Sequence, residues 1–157
     1  MATGPGRAVR VDFMKLFTQV ATTKTYTTPH AALMTGNPND DGQGNSPAGT
    51  LEPTSSNGYA RQPITWTAIA TPSNDAAAQA TNSALITFGP SSGGGFSTGA
   101  SALTYLAVYN TATLATVTEA AFLARALVAG GGFAVNAAGI SITFAATTGI
   151  VLGCISA

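Results

Sequence analysis

Two long stretches of this chain carry no charge at all, and that constrains the fold more than any motif in it. Six Lys or Arg and six Asp or Glu are spread over 157 residues, for a net charge of zero. An ordinary soluble domain is about 25% charged. Arg7, Arg10, Asp12, Lys15 and Lys24 crowd the front, and Asp40, Asp41, Glu52, Arg61 and Asp75 follow. From Ala76 to Thr118 there is no charged residue, and after Glu119 and Arg125 the chain from Ala126 to Ala157 has none either. Water-facing surface normally needs Lys and Glu, so Thr, Ser, Asn and Gly must face water here, or the surface must face another protein. Ala, Thr and Gly number 30, 24 and 18, which makes small residues the main building material.

Several classes are excluded by the same figures. A protein that neutralises phosphates needs a basic face, and six balanced cations do not supply one, so no nucleic-acid partner is expected. A hydrophobic content of 45% excludes a disordered solvating tail. Cys154 is the single cysteine, so there is no disulfide scaffold. The length suits one domain. Zero net charge favours association, which points to a chain that works inside an assembly and forms homo-oligomers. Met1 to Arg10 has no apolar segment of the secretory kind. Ile140 to Ala157 is broken by Ser, Thr and Gly, so no membrane span is expected.

Along the chain, residues 1–10 read as an extended arm. Phe13, Leu16, Phe17 and Val20 have the i, i+3, i+4, i+7 spacing of a short helix over 11–20. Residues 31–35 read as a short apolar strand, and 36–53 as a polar loop of unusual length. Strands follow at 59–70, where Pro63 suggests an edge or bulge, at 83–88 and at 103–109. In the last, Leu103, Tyr105, Ala107 and Tyr109 share one face. Residues 120–129 are rich in Ala and Leu, but their length and the turn Gly130-Gly131-Gly132 after them favour strand. Residues 140–145, with Ile140, Ile142 and Phe144 alternating with Ser141 and Thr143, and 149–155 complete the set. The pattern predicts an all-β fold: an antiparallel β-sandwich or jelly-roll-like domain over 11–157, with a short N-terminal helix and an extended N-terminal arm.

Catalytic groupings are missing. His30 is the only histidine and no Gly-x-Ser-x-Gly elbow exists for it to serve, so it reads as a polar residue where a strand begins. His30 and Cys154 do not make a zinc site. Asn37, Asn39, Asp41 and Gly42 imitate the opening of a calcium loop, but Ala48 stands where the bidentate acid belongs. The clusters Gly93-Gly94-Gly95 and Gly130-Gly131-Gly132 lack the Lys-Ser or Lys-Thr of a phosphate loop and read as tight turns or close backbone approach. Asp75 and Glu119 are isolated acids. No enzyme activity and no cofactor or metal is expected.

The string Gly58-Tyr59-Ala60-Arg61-Gln62, after a Gly/Pro/Ser-rich loop and before an apolar strand, resembles a family of small virion proteins of tailed bacteriophages, often labelled tail fibre proteins. Several of these act as capsid decoration or cement proteins. The similarity continues in order through Ala31 to Gly36, the Asn/Asp/Gly loop 37–44, Asn82 to Phe88, Leu106 to Thr111 and Ile140 to Ala145. The long loop before Tyr59, the Arg-containing arm and the strand 149–155 depart from the family pattern.

On a strand Tyr59 and Arg61 share a face. Arg61 is the only cation between Lys24 and Arg125. It is worth most when paired, which favours an internal acid such as Glu52 or Asp75 over a neighbouring subunit. The resemblance implies a non-enzymatic virion protein, made in the host cytoplasm, that decorates the capsid surface and binds the major capsid protein, with Arg7, Arg10, Tyr59 and Arg61 as candidate contacts. The alternative it implies is a fibre-associated or baseplate tail protein that touches the host. The arm reading predicts that removing residues 1–10 weakens partner binding and leaves the fold intact, which sedimentation of the truncated chain with virion parts would check.

Overall fold

The computed structural model describes residues 4–18, 27–39, 51–68, 79–96, 102–114, 121–128 and 131–153. In chain order its elements are β1 (Gly4–Pro5), α1 (Arg7–Phe17), β2 (His30–Met34), a 3₁₀ turn (Ser55–Asn57), β3 (Gln62–Pro63), β4 (Gln79–Thr81), β5 (Ile86–Phe88), β6 (Tyr105–Tyr109), β7 (Phe122–Leu127), β8 (Ile142–Phe144) and β9 (Val151–Gly153). A five-stranded antiparallel sheet runs in the order β1-β7-β6-β2-β3, and two ribbons, β4-β9 and β5-β8, stand beside it.

β2 and β6 lie in the middle of the sheet, and their sequences, HAALM and YLAVY, have almost no polar residue because both faces are covered. Ala31, Leu33, Leu106 and Val108 face a large cluster with Ile64, Ile86, Phe88, Phe96, Leu103 and Ile142. Ala32, Met34, Tyr105, Ala107 and Tyr109 face a smaller one with Ala121 and Phe122. The register Ala32↔Ala107 and Leu33↔Leu106 sets small against small and large against large. Each buried Leu or Phe contributes about 1.5–3 kcal/mol through apolar area removed from water.

One irregularity decides how β7 is used. Val108 pairs with Ala124, but Tyr109 pairs with Phe122, so Leu123 is the extra residue of a bulge. In a regular strand Phe122 and Ala124 would share a face. The bulge turns Phe122 to the other side, where its ring meets Tyr109 edge to face at 5.5 Å, while Ala124 stays in the large cluster.

The expected arm differs from what forms. Gly4 and Pro5 pair with Arg125 and Ala124 as an edge strand, where a residue without an N–H is tolerated. Gly6 N then donates to Leu123 O at 2.8 Å, its own carbonyl accepts from Arg10 N, and the helix begins at Arg7, four residues earlier than the periodicity suggested. Asp12 is buried and lies 3.8 Å from Lys15 on the next turn. The expected strand 59–70 is also shortened: Pro63 cannot continue a ladder, so β3 is two residues long, followed by a lone bridge from Trp66 to Asn82. Within the expected strand 120–129, Phe122–Leu127 form β7.

The all-β class with a short N-terminal helix holds. The expected β-sandwich or jelly roll is not seen among the described residues, nor is a closed barrel: β3, β4, β5, β8 and β9 are each two or three residues long, too short to wrap. No helix among the described residues is long and apolar enough to cross a membrane.

Two outcomes follow from this architecture. Phe122→Ala removes the ring that meets Tyr109 in the small cluster, at a cost of about 3–5 kcal/mol, measured as a lower urea midpoint. Removing residues 1–10 strips β1 and the first turn of α1 and lowers the thermal midpoint, so that truncation is not neutral to the fold.

Candidate functional site

The chain after the 3₁₀ turn passes below the β3 edge of the sheet and turns two polar side chains inward. Gly58, at φ +77°, ends the turn in the left-handed region that glycine adopts without strain. Tyr59 and Arg61 follow, 2% and 4% exposed. β3 is too short to pair with all of β2, and the Tyr59 hydroxyl takes its place, accepting from Leu33 N at 2.8 Å. The same hydroxyl donates to Glu52 Oε1 at 3.0 Å.

Glu52 is then gripped from its other side. Arg61 Nε donates to Oε1 at 2.9 Å and Nη2 to Oε2 at 2.7 Å, the two-pronged geometry in which guanidinium and carboxylate match best. Nη1 reaches Thr111 O at 3.2 Å and Nη2 also reaches Leu114 O at 3.4 Å. The guanidinium carbon lies 3.9 Å from the centroid of the Tyr109 ring. Tyr59 itself stacks on Phe88 at 5.9 Å and meets Phe96 edge-on at 5.6 Å. Phe88 belongs to the large cluster and Tyr109 to the small one, so the Glu52–Arg61 pair joins the two halves of the core around the sheet edge.

Burying two charges costs several kcal/mol per ion, and the attraction offsets this only when the remaining donors are satisfied. Here they are: among the described residues no buried side-chain nitrogen or oxygen lacks a partner. Burial, and after it the nearby Glu52 carboxylate, pushes the Tyr59 phenol well above its ordinary value of 10.0. Tyr59 is therefore held neutral as a hydrogen-bond donor.

The four candidate contact residues separate into two pairs. Tyr59 and Arg61 are brought together and face inward, and of the two acids expected to pair with Arg61 it is Glu52 that does so; Asp75 lies outside the described residues. While the pair is intact, neither Tyr59 nor Arg61 has surface to offer a partner. Arg7 and Arg10 lie on α1, and Arg10 is exposed.

The other candidates resolve simply. His30 starts β2, with Nδ1 2.8 Å from Thr28 O. Asn37 Oδ1 accepts from Asn39 N at 2.9 Å in a local turn, while the rest of the calcium-like segment lies outside the described residues, as does Cys154. No group of three metal-ligating side chains occurs among the described residues. Both glycine clusters serve close backbone approach: a Cβ at Gly132 would sit 2.6 Å from Leu103 O, and one at Gly95 would overlap the Val135 carbonyl.

Two buried polar residues carry more of the structure than sequence reasoning assigned them. Asn82, fully buried, donates to Ala84 O and Ala145 O and accepts from Ile150 N, each at 2.9 Å. Ser91 Oγ donates to Ala137 O at 2.6 Å and accepts from Ile140 N at 3.1 Å. Asn82 already stood in the Asn-x-Ala-x-x-x-Phe segment of the resemblance, but its role as a pin between distant segments had no signal in its neighbours.

Removing one charge of the pair strands the other. Glu52→Gln and Arg61→Met are each expected to cost about 3–5 kcal/mol in urea unfolding, whereas the double replacement with apolar residues recovers most of it. Tyr59→Phe is expected to cost about 1–3 kcal/mol through the unpaired Leu33 N–H. With the folded Tyr59 pKa above the unfolded one, its contribution to stability is complete below pH 10 and falls as pH rises beyond it. Absorbance titration at alkaline pH, compared with that of Tyr59→Phe, should show the Tyr59 phenol ionising only as the chain unfolds.

Comparison with known families supplies the context for this inward-facing site. A family described as Podophage GP4 fiber I protein gp80 matches residues 13–149, which is 137 of the 157 residues. No curated protein sequence gives a match. The match supports the resemblance read from the Tyr59–Arg61 segment, and with it a structural, non-enzymatic virion protein of a tailed phage. It overturns the expected binding to the major capsid protein: the family is one of fibre proteins, and nothing in it points to a capsid lattice. What the Tyr59–Arg61–Glu52 group holds together is the core of the matched segment itself, and the chain belongs to the Gp80 family of podophage fibre proteins.

Proposed function

We propose that this chain is a fibre-associated component of a podophage tail, acting as a rigid connecting module. The observation that carries the reading is the family match over residues 13–149. The interior supports it. The polar groups most often used for chemistry are spent on holding segments together: Glu52 and Arg61 on each other, Asn82 and Ser91 on backbone.

A direct grip on a host receptor through an aromatic platform has less support. Residues 36–53 and 89–99 contain one aromatic, Phe96, and its ring is 2% exposed, packed on Tyr59. The loops thus give their single large ring to the core, which favours attachment within the tail over reading of a surface sugar.

Tagged full-length protein, mixed separately with purified podophage tails and with DNA-free heads and sedimented, tests the assignment. Saturable binding to tails at a few copies per particle is expected. Binding to heads at hundreds of copies per particle would return the protein to the capsid and overturn the proposal.

A further inference from the structure

We propose that Asn57-Gly58 is a site of covalent modification, a deamidation site kept silent by the clasp between the 3₁₀ turn and the loop 90–95. It is independent of what the chain binds in the tail. Asn57 is the only asparagine in the sequence that glycine follows. Glycine has no Cβ to shield its backbone nitrogen from the preceding carboxamide, so ring closure is easiest at such a pair. The Gly58 nitrogen attacks Asn57 Cγ and gives up its proton, Nδ2 leaves as ammonia, and a cyclic succinimide forms. Water then opens the ring at one carbonyl or the other, leaving aspartate or isoaspartate. The step needs only water, and Gly58 is exposed while Asn57 is half-buried, so water reaches the bond.

The fold holds both reactants away from each other. Gly58 N donates to Ser55 O at 3.1 Å, which turns the attacking nitrogen back along the 3₁₀ turn. The leaving amide is held from the other side, with Asn57 Nδ2 donating to Gly95 O. Asn57 O accepts from Ser92 N at 2.9 Å, which fixes the peptide that would have to rotate. Turn and loop lie flush: a Cβ on Gly58 would sit 3.2 Å from Pro90 O, and one on Gly93 3.0 Å from Asn57 Oδ1. Attack therefore requires the turn to lift off the loop, a local opening of the fold. Once formed, the product does not re-dock. Aspartate has no N–H for Gly95 O and sets a carboxylate against that carbonyl, and isoaspartate adds a methylene to the main chain as well. Damage here reaches the sheet edge. Tyr59 is the second residue after Asn57, its hydroxyl bonds Glu52 and Leu33 N, and its ring meets Phe96, the residue after Gly95.

The test incubates the full-length chain at mildly alkaline pH, folded or unfolded in guanidinium chloride, and follows each asparagine by peptide mass mapping. In the unfolded chain Asn57 should convert fastest of all. In the folded chain it should convert at least about tenfold more slowly, because only the opened turn reacts. Gly93→Ala, which adds a Cβ against Asn57 Oδ1 at a φ of +54°, should recover part of the unfolded rate while circular dichroism shows the chain folded. Where that variant does not fold, guanidinium below the unfolding transition serves, and the Asn57 rate should rise together with hydrogen exchange at the Ser92 amide. Asn57→Asp, the product made directly, should lower the thermal midpoint by about 2–8 °C. Slow conversion of Asn57 in the unfolded chain would overturn the site. Equal rates in folded and unfolded chains, or a rate indifferent to loosening of the clasp, would overturn the protection. An unchanged midpoint in Asn57→Asp would overturn the link to the sheet edge.

Discussion

The Glu52–Arg61 pair is the interaction on which the rest of the structure depends, because it stands where the main sheet would otherwise come apart. β3 supplies two residues to the edge of β2, and beyond them the backbone of Leu33 has no strand to bond. The Tyr59 hydroxyl fills that gap, Glu52 fixes the hydroxyl, and Arg61 fixes Glu52 while laying its planar face on Tyr109. A chain of one phenol, one carboxylate and one guanidinium thereby does the work of a missing strand and ties the cluster on each side of the sheet to the other. In a dry site such bonds are strong when all are made and costly when one is lost, so the group is cooperative by construction.

Elsewhere the same task falls to neutral side chains. With no charge between Ala76 and Thr118, the ribbons β4-β9 and β5-β8 are held by amide and hydroxyl bonds to backbone. Asn82 joins the segment between β4 and β5 to Ala145 and Ile150, and Ser91 joins the segment after β5 to Ala137 and Ile140. Thr67 and Thr81 bond to each other across the neighbouring pairing. Such bonds suit short strands: each fixes two backbone segments at once, and none brings the desolvation cost of an ion. A protein destined for an assembly can dispense with surface charge if its interior polar groups are used this fully.

The helical face at Arg10, Val11 and Met14 is the counterpart of that economy. The two described acids are folded inward, and the cation and apolar side chains are left outside on a short helix at the front of the chain. The matched segment, from residue 13 to 149, carries the core and its pins.

How much of this was legible differs from element to element. The sequence by itself determined the class. Period-two alternation in Ile140 to Phe144, the apolar runs of β2 and β6, and the scarcity of charge required short buried strands, and the Gly130-Gly131-Gly132 turn tipped 120–129 toward strand although its Ala and Leu favoured helix. It also narrowed the partner of Arg61 to two acids, because a lone cation in so neutral a chain is stable only when paired. Tertiary structure alone decided the rest. The bulge at Leu123 exists because Phe122 gains more by meeting Tyr109 than β7 loses in regularity, and no local pattern encodes a contact made across the sheet. Residues 4–10 became an edge strand and a helix start instead of an arm because Arg125 and Ala124 offered a free strand edge more than a hundred positions away. Tyr59 turned out to be a substitute for strand pairing because β3 begins only at Gln62, opposite Ala31, and leaves the Leu33 N–H without a strand partner on that edge. Local residues set which conformations are cheap, but which backbone groups go unpaired is known only once the sheet is assembled.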